Sequence, residues 1–113
     1  MYSEIIDNFA GNFLKRDMAA LKPVIASDFI WRNAEGEIVA EGGGNFLEML
    51  ATIWQEHPKL INKTSSCVEI GNLVSHTEFF EGFTDGHTEE WLWVYEFKGQ
   101  QIWKMVGYQP TQL

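Results

Sequence analysis

The chain has 113 residues, of which 45% are hydrophobic, and it contains five Trp, eight Phe and three Tyr. This length predicts a single domain, residues 1–113, that buries roughly two-thirds of the surface its unfolded chain exposes. A formal net charge of −8, with no run among the eight Lys and Arg residues, argues against nucleic acid or an anionic membrane surface as a partner.

Apolar spacing predicts two helices at the start of the chain. Apolar side chains recur every four positions from Ile5 to Phe13, which indicates an amphipathic helix over residues 2–15. Asp17 can cap a second, short helix, and Pro23 should kink this helix or split off its last turn. The apolar positions of the second helix are Met18, Leu21 and Ile25.

A strand and a third helix follow. Asp28 to Asn33 reads as a strand, Glu35-Gly36 as a turn and Ile38 to Ala40 as a short return strand. Three glycines then lead into a helix in which Asn45 and Glu48 have the spacing of a capping box. Pro58 ends this helix, and its predicted buried stripe is Phe46, Leu47, Leu50, Ile53 and Trp54.

The remainder of the chain is predicted to be strand and turn. The four candidate strands cover approximately residues 60–70, 73–83, 88–97 and 101–108. Asp85-Gly86 is a strong signal for a two-residue hairpin turn. Helices followed by a run of antiparallel strands define the α+β class.

The predicted hairpins divide the side chains of the sheet between two faces. A two-residue turn at Asp85-Gly86 places alternate residues of both strands on one face. The pairs on this face are His76 with Tyr95, Glu78 with Trp93, Phe80 with Trp91, and Thr84 with His87.

The last hairpin has two possible registers. A two-residue Lys98-Gly99 loop would put Lys104 beside Trp93, and a one-residue slip would exchange the faces of the whole strand. We favour a three-residue loop because it keeps Lys104 off an apolar face. The residues that then join this face are Trp103, Met105 and Gly107.

The second face is also partly apolar. A sheet with two apolar faces has two surfaces to cover, and the helices can cover only one of them. We therefore expect a homodimer through the outer face of the sheet. The apolar residues of the second face are Phe79, Phe83, Leu92, Val94, Ile102 and Val106.

These elements resemble the nuclear-transport-factor-2-like superfamily, in particular its SnoaL-like and ketosteroid-isomerase-like members. The resemblance covers nearly the whole chain and rests on soft patterns. It implies a cone-shaped roll in which three N-terminal helices pack on a strongly curved, mainly antiparallel sheet, with a pocket at the open end. The segments that carry it are Ile5–Leu14, Arg16–Leu21, Ala26–Trp31, Gly44–Trp54, Val94–Ile102 and Tyr108.

The isomerase chemistry does not transfer to this chain. At the position of that family's general-base aspartate the sequence has Asn33, and at the oxyanion-hole tyrosine it has Phe9. At the second oxyanion-hole acid it has Trp93. The resemblance therefore argues against steroid isomerase activity.

Glu78 and His76 are the candidate catalytic residues. They lie two apart on one strand and project from the same aromatic face. Apolar surroundings disfavour a charged carboxylate, which is how a general acid or base is tuned, and His exchanges a proton near neutral pH. We expect Glu78 to act as acid/base and His76 to orient a ligand or water. The alternative is a satisfied polar bridge inside the cone or near its mouth.

Several residues are candidates for contact with a ligand. Asn33 and Gln109 could hydrogen-bond at the rim, although Asn33 could equally cap the end of a strand. The aromatic residues could form stacking walls, and core packing is the alternative role for each Trp. The aromatic candidates are Trp31, Trp54, Phe80, Trp91, Trp93, Tyr95 and Trp103.

No cofactor or metal is predicted. His57, His76 and His87 lack zinc-ligand spacing, and Cys67 is expected to be a buried structural thiol. The acidic N-terminus has no signal-peptide pattern and no apolar stretch could span a bilayer, so we expect a cytoplasmic protein.

The leading functional hypothesis is a pocket for a small apolar or aromatic molecule, with acid/base chemistry of the isomerase, dehydratase or cyclase type at Glu78 and His76. The alternative is a non-catalytic dimeric binding or assembly module whose cone is filled by its own side chains. An open cavity lined by Glu78, His76 and Asn33 would favour the first hypothesis.

Overall fold

The computed structural model describes residues 1–110 and has the predicted α+β architecture. Its helices are α1 (Tyr2–Lys15), α2 (Met18–Leu21) and α3 (Gly43–Glu56), with a short 3-10 helix at Lys22–Val24. Its strands are β1 (Ile25–Arg32), β2 (Ile38–Glu41), β3 (Ile61–Thr64), β4 (Val68–Ile70), β5 (Leu73–Glu81), β6 (Glu89–Lys98) and β7 (Gln101–Tyr108).

The seven strands form one curved, open sheet in the order β2-β1-β7-β6-β5-β3, with β4 also paired to β5. All neighbours are antiparallel except β1 and β7, which are parallel. The helices pack against one face, which we call the helix-facing face, and the opposite side is the outer face. No helix within residues 1–110 is long and apolar enough to cross a membrane.

Arg16 fastens α1 to the end of α3. It ends α1 in a left-handed conformation with φ 58°. Its guanidinium donates hydrogen bonds to the carbonyl oxygens of Trp54 at 2.9 Å and Pro58 at 2.7 Å. The last carbonyls of a helix lack intrahelical partners and carry partial negative charge, so a cation stabilises them. This contact fixes the position of the α3 terminus against α1.

The second helix begins as predicted but ends earlier than the sequence indicates. The Asp17 side chain accepts a hydrogen bond from the Ala20 N–H, as expected of a cap. Ile25, which was assigned to the second helix, instead begins β1, because Pro23 converts the preceding turn to 3-10 geometry and the chain then extends.

The predicted capping box of α3 does not form. The helix begins at Gly43, and the Asn45 side chain donates backward to the Glu41 carbonyl oxygen at 2.9 Å. A Cβ at Gly43 would lie 2.5 Å from the Ala26 carbonyl oxygen, so only glycine allows this close approach to β1. The helix therefore starts before the position that the capping pattern indicated.

Strand pairing in the central hairpin is displaced by two residues from the prediction. Glu78 pairs with Trp91 and His76 with Trp93, because β5 ends at Glu81 and a longer loop replaces the two-residue turn. A slip of two residues preserves the face of every side chain. The predicted strand over 60–70 is also broken, into β3 and β4.

The last hairpin has neither expected register. Lys98 pairs with Gln101, so the two-residue loop is Gly99-Gln100 rather than Lys98-Gly99, and a bulge then shifts the register. The bulge accommodates Trp103 as an extra residue, so Met105 lies opposite Tyr95 on the helix-facing side as predicted. Trp103 was wrongly assigned to this face, because its ring packs against exposed lysine side chains instead.

Two residues assigned to the second face belong elsewhere. Ile102 is 1% exposed and lies in the main core, because the bulge follows it. Phe83 falls in the loop after β5 and faces the cavity described below. The core itself is built around aromatic contacts, with the Phe29 and Phe46 rings stacked at 4.5 Å.

Candidate functional site

A cavity of about 290 Å³ lies between the helices and the helix-facing side of the sheet. Its walls are mainly aromatic and aliphatic, and a few polar groups reach it. The lining residues are Phe9, Phe13, Trp31, Phe46, Leu50, Ile53, His57, Leu60, Glu78, Phe80, Phe83, Glu89, Trp91, Trp93, Tyr95 and Met105.

Three tryptophans form one wall of the cavity. The Trp91 and Trp93 rings stack with centroids 4.6 Å apart and an interplanar angle of 4°. Trp31 meets Trp93 edge-on at 5.6 Å. A Cβ at Gly107 would lie 2.4 Å from the Trp93 ring, so a glycine is required beneath the stacked pair. The wall therefore depends on the register of β6 with β7.

Glu78 is the buried carboxyl of the cavity. It projects from β5, is 8% exposed, and accepts a hydrogen bond from Asn62 Nδ2 at 2.8 Å. Burial raises the pKa of Glu78 to about 7, and the hydrogen bond from Asn62 opposes this shift only in part. Glu78 can therefore both donate and accept a proton near neutral pH.

Asn62 was not among the predicted site residues. It lies on β3 and its Nδ2 also donates to the Ala10 carbonyl oxygen at 3.1 Å, which ties Glu78 to α1. The sequence held no signal for this role, since Asn62 comes into contact with Glu78 only through strand pairing across 16 residues.

His76 lies behind the cavity rather than in its lining. It is 3% exposed, and burial lowers the pKa of its imidazole. Its Nε2 is 2.9 Å from the Tyr95 hydroxyl, and its Nδ1 is 3.9 Å from the Cys67 sulfur. Burial raises the pKa of Tyr95 well above its ordinary value and that of Cys67 to about 11. His76 therefore contacts the Tyr95 hydroxyl, while the Tyr95 side chain lines the cavity.

Four other predicted ligand contacts lie outside the lining. Trp54 is buried against the Phe13 ring at 5.5 Å, and Trp103 packs under Lys104 on the outer face. The hydrogen-bonding groups of the Asn33 side chain are all used within its own turn. Its Oδ1 accepts from the backbone N–H groups of Glu35 and Glu37, and its Nδ2 donates to the Glu37 carboxylate. Gln109 is exposed after the end of β7.

The predicted contacts that do line the cavity are Trp31, Glu78, Phe80, Trp91, Trp93 and Tyr95. Alternation along β5 and β6 brings most of them together. The helix residues Phe9, Phe13 and Leu50 were missed as lining residues, because amphipathic spacing marks a buried face without distinguishing core from cavity. Within the described part of the chain no group of three or more His, Cys, Asp and Glu residues is placed to hold a metal ion.

Comparisons with known proteins identify the fold. The sequence matches no protein-family model and no curated protein. Among solved structures, an uncharacterised cystatin-fold protein from Novosphingobium aromaticivorans has a TM-score of 0.86 at 18% identity, with 96% of this chain and 97% of that chain covered. An NTF2-like protein of unknown function from Cytophaga hutchinsonii has a TM-score of 0.80 at 15% identity, with 97% and 90% covered.

A third similar structure is TerC co-crystallised with polyporic acid, which has a TM-score of 0.79 at 17% identity, with 96% of this chain and 91% of that chain covered. These similarities define the class: the chain has the NTF2-like, cystatin-like α+β fold. The suspected resemblance is thereby confirmed at the level of the fold.

The pKa of Glu78 predicts a specific pH dependence of stability. The folded-state pKa is raised from 4.5 to about 7, so Glu78 favours folding when protonated, and this contribution is lost as pH rises from about 4.5 to about 7. Relative to Glu78→Gln, the wild type should lose up to about 3 kcal/mol of unfolding free energy over this interval. Urea unfolding of both proteins at pH 5 and pH 8 measures the difference, and parallel pH curves would refute the assignment.

Proposed function

We propose that this protein binds a small, planar, largely apolar molecule in its cavity and that Glu78 transfers a proton to or from it. The observation that carries the proposal is a buried carboxyl with a pKa near neutral in a mainly aromatic cavity. Structural ion pairs do not account for this carboxyl, since its hydrogen-bond partner is a neutral amide.

The cavity volume limits the size of the ligand. A cavity of roughly 150 Å³ holds one benzene ring, and pockets for drug-sized ligands begin at roughly 300 Å³. At about 290 Å³ this cavity suits two fused rings or a molecule of similar bulk. Of the three polar residues expected in an open cavity only Glu78 lines it, and the volume is what supports a binding function over the alternative of a cone filled by its own side chains. That TerC, a protein of the same fold, was co-crystallised with polyporic acid supports testing small organic ligands.

The chemistry available at Glu78 is single proton transfer. In its neutral form the carboxyl donates to a ligand oxygen, and in its ionised form it accepts a proton from an acidic carbon or hydroxyl. Isomerisation, dehydration and cyclisation all need such a group. His76 acts here as a positioning residue, because it holds the Tyr95 hydroxyl at 2.9 Å and has no surface in the cavity lining.

Removal of the tryptophan wall tests the ligand site. We expect 2-acetylnaphthalene, a two-ring ketone, to bind the wild type, and Trp91→Ala to weaken binding about 3- to 10-fold because one stacking ring is lost. Trp103→Ala is the matched control on the outer face and should leave the affinity unchanged. Equilibrium dialysis measures both, and an equal loss in the two variants would contradict the site.

Proton uptake tests the role of Glu78. A bound aromatic molecule displaces water from the carboxyl and raises its pKa further, so the complex should take up a fraction of one proton at pH 7. Titration calorimetry with 2-acetylnaphthalene in two buffers of different ionisation enthalpy measures this uptake. Glu78→Gln should abolish it. Undiminished uptake in the variant would assign the proton to another group.

We also propose that the chain forms a homodimer through the outer face of the sheet. Val94 and Val106 lie opposite one another on this face, and Leu92 and Tyr108 beside them are each 41% exposed. Adjacent apolar side chains left at a surface favour association.

Charge substitution within this patch tests the dimer. Val94→Glu should convert a wild-type dimer to a monomer at micromolar concentration, because two carboxylates would meet in an apolar interface. Val39→Glu, at an exposed valine of β2, is the control and should remain dimeric. Sedimentation velocity separates these outcomes. A monomeric wild type would remove the proposal.

A further inference from the structure

Three partly exposed lining residues, His57, Phe83 and Glu89, lie where the loop between β5 and β6 meets the end of α3, and we take this end of the cavity as its mouth. The Thr84 hydroxyl donates to the Glu56 carbonyl oxygen at 2.7 Å, and Gly82 packs so closely on this segment that a Cβ would lie 2.1 Å from the Lys59 carbonyl oxygen. His57 lies at the same junction, packs edge-on against Phe83 at 5.0 Å, and lines the cavity.

The hydrogen bonds of His57 determine which ring nitrogen carries the proton. The backbone N–H of Thr84 points at His57 Nδ1 at 3.1 Å, and a backbone N–H can only donate. The Thr84 hydroxyl oxygen also lies 3.1 Å from Nδ1, with its own proton given to Glu56, but a proton on Nδ1 would point at the proton of the Thr84 N–H. Nδ1 is therefore the acceptor, and the neutral imidazole carries its proton on Nε2.

The proton on Nε2 is a free donor at the cavity mouth. Among residues 1–110, His57 Nε2 has no hydrogen-bond partner, in contrast with the neighbouring polar groups. Both oxygens of Glu89 are occupied, one by Trp91 Nε1 at 2.9 Å and the other by His87 Nε2 at 2.8 Å. Glu78 lies in the cavity wall, bonded to Asn62. His57 Nε2–H is thus an unpaired donor at the rim, whereas the unpaired indole N–H groups of Trp31 and Trp93 are buried in the cavity wall.

We propose that His57 Nε2–H recognises a carbonyl oxygen on the outward end of the ligand, which makes the ligand an aromatic ketone or quinone-type molecule rather than a hydrocarbon or an amine. This inference rests on the ligand-binding function proposed above. It assigns His57 a role in specificity, and it leaves proton transfer to Glu78.

A matched pair of ligands tests this assignment. 2-Acetylnaphthalene and 2-ethylnaphthalene have nearly the same shape, but only the ketone has a hydrogen-bond acceptor. Equilibrium dialysis should show the wild type binding the ketone about 3- to 10-fold more tightly than the hydrocarbon, the effect of one net hydrogen bond. Equal affinity of the two ligands would overturn the inference.

Two substitutions identify the donor. His57→Asn places an amide oxygen where Nδ1 accepts from Thr84 and lacks the Nε2 donor, so it should bind both ligands equally. His57→Gln carries an amide N–H at the position of Nε2 and should keep part of the preference for the ketone. Trp103→Ala, outside the cavity lining, should keep all of it. A preference that survives His57→Asn would overturn the inference.

A measurement on the unaltered chain covers the case in which His57→Asn does not fold. In protein labelled with ¹⁵N-histidine, the NMR spectrum should show His57 protonated on Nε2 alone, and the Nε2 signal should shift with the ketone but not with the hydrocarbon. Protonation on Nδ1 would overturn the inference. If neither ligand binds the wild type, the proposed function fails and the inference falls with it.

Discussion

The alternation of side chains along β5 and β6 is the constraint on which both the core and the cavity depend. It sends His76, Glu78 and Phe80 to the helix-facing side together with the residues of β6 that pair with them. An even slip between the strands leaves this division intact, whereas an odd slip would expose Trp93 and Tyr95 to water. The bulge at Trp103 keeps the same assignment of side chains to the two faces in β7. It adds one residue after a short loop, so that Met105 points to the helix-facing side.

A second set of contacts turns this curved sheet into a site with a defined mouth. Arg16 holds the end of α3 through backbone carbonyls, and Thr84 holds the loop after β5 to the same place. His57 lies between these two attachments, so its ring orientation follows from backbone hydrogen bonds rather than from the surface of the ligand. A donor fixed in this way loses little conformational freedom on binding, which is how rigid sites gain selectivity.

The two buried polar pairs of the helix-facing side have different chemical characters. Glu78 and Asn62 leave a carboxyl that titrates near pH 7 and reaches the cavity. His76 and Tyr95 are both shifted by burial toward their neutral forms, and their mutual contact occupies the groups that could otherwise react. Proximity in sequence made Glu78 and His76 look like one catalytic pair. The structure separates them, because each finds a closer partner on a neighbouring strand.

The sequence by itself determined the α+β class, the face of most strand residues and the candidacy of Glu78, because period and alternation are local properties of the chain. Tertiary structure alone decided the hairpin registers, the outward turn of Trp103 and the absence of Asn33 from the cavity lining. Tertiary contacts also brought Asn62 and His57 into the site. Each of these outcomes depends on contacts between segments far apart in the chain, such as Thr84 with Glu56. A local sequence pattern does not predict them, because it depends only on neighbouring residues.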